Sequence, residues 1–111
     1  MGKSQRTKGA TGEREVCAIL TAALGKKIER NIGQARDGGC DINAGSLVIE
    51  VKRRKTLTTF RAWYEQAKAS VKRTGDIPVV VMREDGGEFL VALSLDHFLQ
   101  LTGKEIAGQI A

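Results

Sequence analysis

The chain is poor in the residues that hold zinc or staple small folds: it has one histidine, His97, and two cysteines, Cys17 and Cys40, in 111 residues. That inventory leaves no Cys and His set for a zinc site. Two cysteines are also too few for a disulfide framework and suit a reducing compartment. No apolar run approaches the roughly 20 residues of a membrane helix. The opening MGKSQRTKG has no apolar stretch of the kind that directs secretion. A soluble, cytoplasmic protein with no membrane partner is the expectation. Repeats and low-complexity segments are absent, and with 41% hydrophobic and 28% charged residues the composition is that of a folded chain. The length allows one modest core, so residues 1–111 are expected to form a single domain.

Charge is plentiful but uneven. Residues 1–73 carry 16 Lys and Arg against 7 Asp and Glu, whereas residues 74–111 carry 2 against 6, within a total of +5. A basic region of this kind suits a polyanion, of which nucleic acid is the commonest inside a cell, although basic solvated faces are also common.

The first residues, 1–8, are polar and basic and read as a flexible arm. From Thr11, a candidate N-cap, TGEREVCAILTAALG has the period of a helix that Gly25 stops. Val16, Ile19, Leu20, Ala23 and Leu24 form its apolar stripe. At 100° per residue Glu13 falls inside that stripe, and Glu15 falls outside it, toward solvent. A first strand is expected over Lys27–Ile32, then GQARDGG, then strands Cys40–Ala44 and Leu47–Arg53 joined by a two-residue II′ turn at Gly45-Ser46. A helix from about Thr59 to Thr74 buries Phe60, Trp63, Tyr64, Ala67 and Val71. Strands IPVVVMR and GEFLVAL follow, and Ser94 caps a short helix, LDHFLQL. The order implies an α/β fold, a central mixed five-stranded sheet flanked by helices.

Within LVIEVKRRK, Glu50 and Lys52 share one strand face. The hairpin register, in which partners sum to 91, brings Asp41 opposite Glu50 with Cβ atoms about 5 Å apart. Two acids at that distance raise one another's pKa or demand a cation. With Glu13 added, the donors are all oxygen, which favours Mg²⁺ or Mn²⁺, and the Val51 carbonyl is a further candidate ligand. Taken alone, an E-x-K pair on an exposed strand is most often a solvated surface pair of little consequence. Three features weigh against that here: the apolar Leu47, Val48, Ile49 and Val51 around it, the register of Asp41, and the KRRK that follows at once.

KGATGERE, GGCDI and IEVKRR, in that order and spacing, resemble the PD-(D/E)xK nuclease superfamily, and within it the archaeal-type Holliday-junction resolvases. The likeness spans roughly residues 8–55. It implies a restriction-endonuclease-like fold and a metal-dependent endonuclease acting as a homodimer on four-way or branched DNA. Glu13, Asp41 and Glu50 would bind metal, and Lys52 would sit near the attacking water. The superfamily's proline is replaced by Cys40. VRR-type nuclease domains are also similar, with Gln66 as their helical glutamine. A nicking or duplex nuclease of that or the restriction type is therefore the alternative, and a non-catalytic DNA-binding module on the same fold a third.

Phosphodiester hydrolysis needs an activated water and relief of charge at phosphorus, which a metal held by Asp41 and Glu50, with Lys52 alongside, can supply. Lys3, Arg6, Lys8, Lys26, Lys27, Arg53, Arg54 and Lys55 are the candidate phosphate contacts. Trp63 and Tyr64 could stack on bases, but their helical spacing suits core packing, and Cys40 suits a small buried position.

Overall fold

A computed structural model describes residues 3–32, 39–57 and 60–110, with side chains from residue 9 onward. The elements are α1 (Lys3–Leu24), β1 (Ile42–Ala44), β2 (Leu47–Arg54), α2 (Arg61–Ala69), β3 (Ile77–Glu84), β4 (Leu90–Ala92) and α3 (Leu95–Gly108). The four strands form one mixed sheet in the order β1-β2-β3-β4. β2 and β3 are parallel, and each outer strand is antiparallel to its neighbour. The parallel pair requires a crossover, which α2 provides.

The β1–β2 hairpin has the expected register, Ile42↔Ile49, Asn43↔Val48 and Ala44↔Leu47. Gly45 has φ +58°, and among the described residues no non-glycine has positive φ, so Ser46 follows in the ordinary region. That combination matches a II′ turn and not I′, which would need positive φ at both positions.

β2 and β3 form the centre of the sheet because both of their faces are covered. On one face Ile49 and Val51 of β2 and Ile77, Val79 and Val81 of β3 pack with Val16 and Cys17 of α1. On the other, Val80 and Met82 pack with Ala67, Trp63 and Tyr64 of α2. The alternation of side chains along a strand thus assigns each residue of β2 to one helix or the other.

Several expectations are corrected. Residues 27–32 make a single bridge, Arg30↔Ile42, and the described sheet has four strands in place of five. With β1 only three residues long, a further strand has almost no ladder to join. α1 begins at Lys3, so residues 3–8 of the expected arm are helical and Thr11 lies inside the helix, not at its cap. Gly25 does end it, its amide donating to the Thr21 carbonyl at 3.0 Å. The buried side of α1 is Gly12, Val16 and Cys17, while Ile19 and Leu24 are exposed. α2 stops at Ala69, where the Ser70 hydroxyl donates to the Ala67 carbonyl at 2.8 Å, and Phe60 is exposed. The expected helix start at Thr59 and most of GQARDGG, residues 33–38, fall outside the described residues. Ser94 caps α3 as expected, accepting the His97 amide at 3.1 Å, but the helix is 14 residues long and buries none of them.

Candidate active site

Glu50 lies in the middle of β2, opposite Val80 of β3, and is 3% exposed. A carboxylate at such a place is costly unless something offsets its charge. Asp41 stands just past the last β1–β2 pair and is fixed three ways: its Oδ2 accepts the Val51 amide at 2.9 Å, its own amide donates to the Ile49 carbonyl at 3.1 Å, and its carbonyl accepts the Asn31 amide at 2.8 Å. The side chain of Asp41 therefore replaces a backbone carbonyl as the partner of β2 at the point where β1 turns away.

The two carboxyl groups meet. Burial pushes the Glu50 pKa up to about 7; the charge of Asp41 and a hydrogen bond shared with it, and more weakly the charge of Glu13, act in the same direction, and Lys52 opposes them. Burial and the facing acid thus favour the protonated form of Glu50 over what an ordinary carboxylate would show. Lys52 is on the same face, two residues on, beside Met82. It is the counter-charge that the strand itself provides.

Glu13 is held differently. It projects from α1, which packs on the opposite face of β2 from Glu50, and its Oε1 accepts from Arg30 Nε at 2.9 Å. Burial raises its pKa, the Arg30 bond lowers it, and Asp41 raises it further, so the acids feel one another's charge. Among the described residues no group of three acids, cysteines or histidines is placed to hold a metal ion. In this arrangement Glu13 is bonded to Arg30 and interacts with Asp41 and Glu50 through its charge.

Glu15 does not point to solvent. Its Oε1 accepts from Arg53 Nη1 at 3.2 Å and its Oε2 from Arg83 Nη1 at 2.9 Å. Arg53 is an odd-numbered β2 residue and so lies on the α1 face, 15% exposed and also 3.9 Å from Asp85. Its stem fills the space beside Gly12, where a Cβ would come within 2.7 Å of the arginine Cδ. Arg53, a candidate phosphate contact from the sequence, is here engaged by Glu15 and Asp85. Arg54, on the Glu50 face, is exposed and lies 5.5 Å over the Trp63 ring. Lys55, Lys26 and Lys27 are exposed, Lys27 at 3.9 Å from Glu29. Gln66 is exposed on α2. The side chains of Lys3, Arg6 and Lys8 lie outside the described residues.

Arg30 and Arg83 were not among the sequence candidates. Period-two alternation would have found Arg83, since Ile77, Val79 and Val81 all face α1 and Arg83 continues that row. Nothing in the spacing marks Arg30. Cys17 and Cys40 are buried and unbridged, and burial raises both thiol pKa values, away from reactivity.

Over residues 4–108 the chain matches the family described as "Phage putative PDDEXK endonuclease". The chain belongs to that family. No curated protein and no solved structure matches it. Asp41, Glu50 and Lys52, which the hairpin register and the strand alternation bring to one face, are of the residue types that a PDDEXK endonuclease is named for. Such nucleases generally depend on a divalent metal. The donors fit in part: Asp41 and Glu50 are paired and oxygen-only, and a hard cation between them would offset the charge that burial makes costly.

Proposed function

We propose that the chain is a Mg²⁺- or Mn²⁺-dependent endonuclease that acts as a homodimer and cleaves four-way or otherwise branched DNA. The observation that carries the reading is the pairing of buried Glu50 with half-buried Asp41, with Lys52 on the same strand face. Those two carboxylates would hold the metal, which when bound supplies a water of lowered pKa and neutralises charge developing at phosphorus. The chain's own part is positional. The Val51 amide fixes the Asp41 carboxylate, burial fixes Glu50, and Lys52 can hold a phosphate oxygen or orient a water at the same spot. Exposed Arg54, Lys55, Lys26 and Lys27 supply contacts to flanking phosphates. Symmetric cleavage of a junction needs two such sites, hence two copies.

An end-labelled four-way junction, a linear duplex and a single strand, each incubated with Mg²⁺, with Mn²⁺ or with EDTA, test the reading. The expected result is paired nicks placed symmetrically across the branch point, abolished by EDTA, with the junction still bound against excess duplex. Equal cutting of linear duplex would favour a VRR- or restriction-type nuclease. Binding with no cleavage under either metal would leave a DNA-binding module.

A further inference from the structure

α3 is the one helix among the described elements that buries no residue, yet it is apolar along one side. Leu95, Phe98, Leu99 and Ile106 are between 36% and 70% exposed, and Ile110, in the turn that continues the helix, is 71% exposed. At 100° per residue these five and Thr102 fall within about 60° of one line along the helix. Single exposed apolar side chains are ordinary, but a continuous stripe of this kind marks a contact surface.

We infer that this face of α3 is the surface on which two copies of the chain associate, packed antiparallel about a two-fold axis near Thr102. A two-fold interface requires a patch that complements itself, and the stripe has that property. Phe98 and Ile106 are equally spaced on either side of Thr102, so each meets the other across the axis, while Leu95 meets the turn that holds Ile110. The centre is small: the Thr102 hydroxyl donates to the Phe98 carbonyl at 2.8 Å, leaving its methyl group outward, and nothing lies within 4 Å of where a Cβ on the adjacent Gly103 would stand.

Charge and area point to the same occupant. From Leu95 to Ile110 the chain has Asp96 and Glu105 against Lys104, so the helix carries little net charge and two copies do not repel. It also lacks the positive charge that DNA would require. The five side chains offer roughly 500 Å² of apolar surface, about the apolar share of the ~800 Å² that each partner buries in a standard interface.

Sedimentation equilibrium of the full chain across the micromolar range, without DNA or metal, tests the inference. The expected mass is twice 12.0 kDa. Phe98→Glu and Ile106→Glu should each weaken association by at least ~100-fold, as loss of a central apolar anchor does. Their circular dichroism should be unchanged, because neither side chain is buried. Leu101→Glu, on the same helix but off the stripe, should remain dimeric. A mixture of Phe98→Lys and Ile106→Glu chains should reassociate, since the antiparallel geometry sets the new charges opposite one another. A monomeric wild type, a dimer indifferent to Phe98→Glu, equal dissociation by Leu101→Glu, or no reassociation in the mixture would each overturn the proposal. The inference rests on the homodimer of the proposed function: a monomeric wild type would remove the homodimer from that reading too, a dimer indifferent to Phe98→Glu would remove only this face, and failure of cleavage leaves the interface standing.

Discussion

The carboxylate of Asp41 stands in for a strand neighbour of Val51, accepting its amide hydrogen at 2.9 Å. One side chain thus closes the sheet at the end of β1 and faces Glu50 across the hairpin. The two jobs separate by substitution. Asp41→Asn keeps an oxygen for the Val51 amide but loses a negative ligand, so cleavage should vanish with stability little changed and DNA bound as well or better. Asp41→Ala leaves the amide without its partner and should also lower stability by about 1–3 kcal/mol. Thermal melts and cleavage assays on both variants distinguish the roles; near-normal cleavage by Asp41→Asn would remove Asp41 from the site.

Glu13 and Glu15 are two residues apart on α1 and make opposite predictions. Glu15 holds Arg53 and Arg83, both partly buried, so Glu15→Gln should cost about 1–3 kcal/mol in urea unfolding while leaving kcat close to that of the wild type. Glu13 is bonded to Arg30 and lends its charge to Asp41 and Glu50. Glu13→Gln should depress cleavage more than tenfold, with a smaller loss of stability. Equal effects of the two changes on kcat would mean that α1 has no electrostatic role in the site.

Glu50 sets a pH dependence whose sign can be worked out. Its folded pKa, about 7, lies above the ordinary value of 4.5, so between those limits the folded state binds more protons than the unfolded. Stability of the metal-free protein should therefore fall as pH rises through this window, by an amount on the order of 3 kcal/mol at most. Glu50→Gln should flatten that fall. Mg²⁺, which competes with the proton on Glu50, should raise the Tm more at pH 8 than at pH 5. A wild-type melting profile rising steadily from pH 5 to pH 8 without metal would contradict the assignment.

The hairpin was legible because its determinants are local. Gly45-Ser46 sets the turn and the turn sets the register, and from the register follow the meeting of Asp41 with Glu50 and the common face of Glu50 and Lys52. What escaped depends on which helix covers which face of the sheet. Glu13 was rightly placed on the packed side of α1, but that side covers the Val51 face of β2, and the helix phase alone does not say so. The same unknown sent Glu15 to solvent, away from Arg53 and Arg83. Arg30 reaches Glu13 from a segment 17 residues away, through a single bridge to β1, and no periodicity marks it. LDHFLQL marked only a short helix; α3 runs on to Gly108, and its apolar stripe shows only with that extension.

Neighbouring arginines on β2 offer the clearest separation of structural from DNA-binding charge. Strand alternation turns Arg53 toward Gly12 and Glu15, where it is 15% exposed, and turns Arg54 outward over Trp63, next to exposed Lys55. Each phosphate contact adds about 0.9 to the slope of log affinity against log salt. Arg54→Ala and Lys55→Ala should each reduce the slope measured on a junction or a duplex by about that amount, with the melting temperature little altered. Arg53→Ala should leave the slope unchanged and lower stability, because Glu15 loses a partner and the stem no longer fills the space beside the helix. Fluorescence anisotropy at a series of salt concentrations, paired with thermal melts, reads both effects on the same samples. A slope lowered by Arg53→Ala in a variant that melts like the wild type would mean that the arginine leaves α1 to meet the DNA.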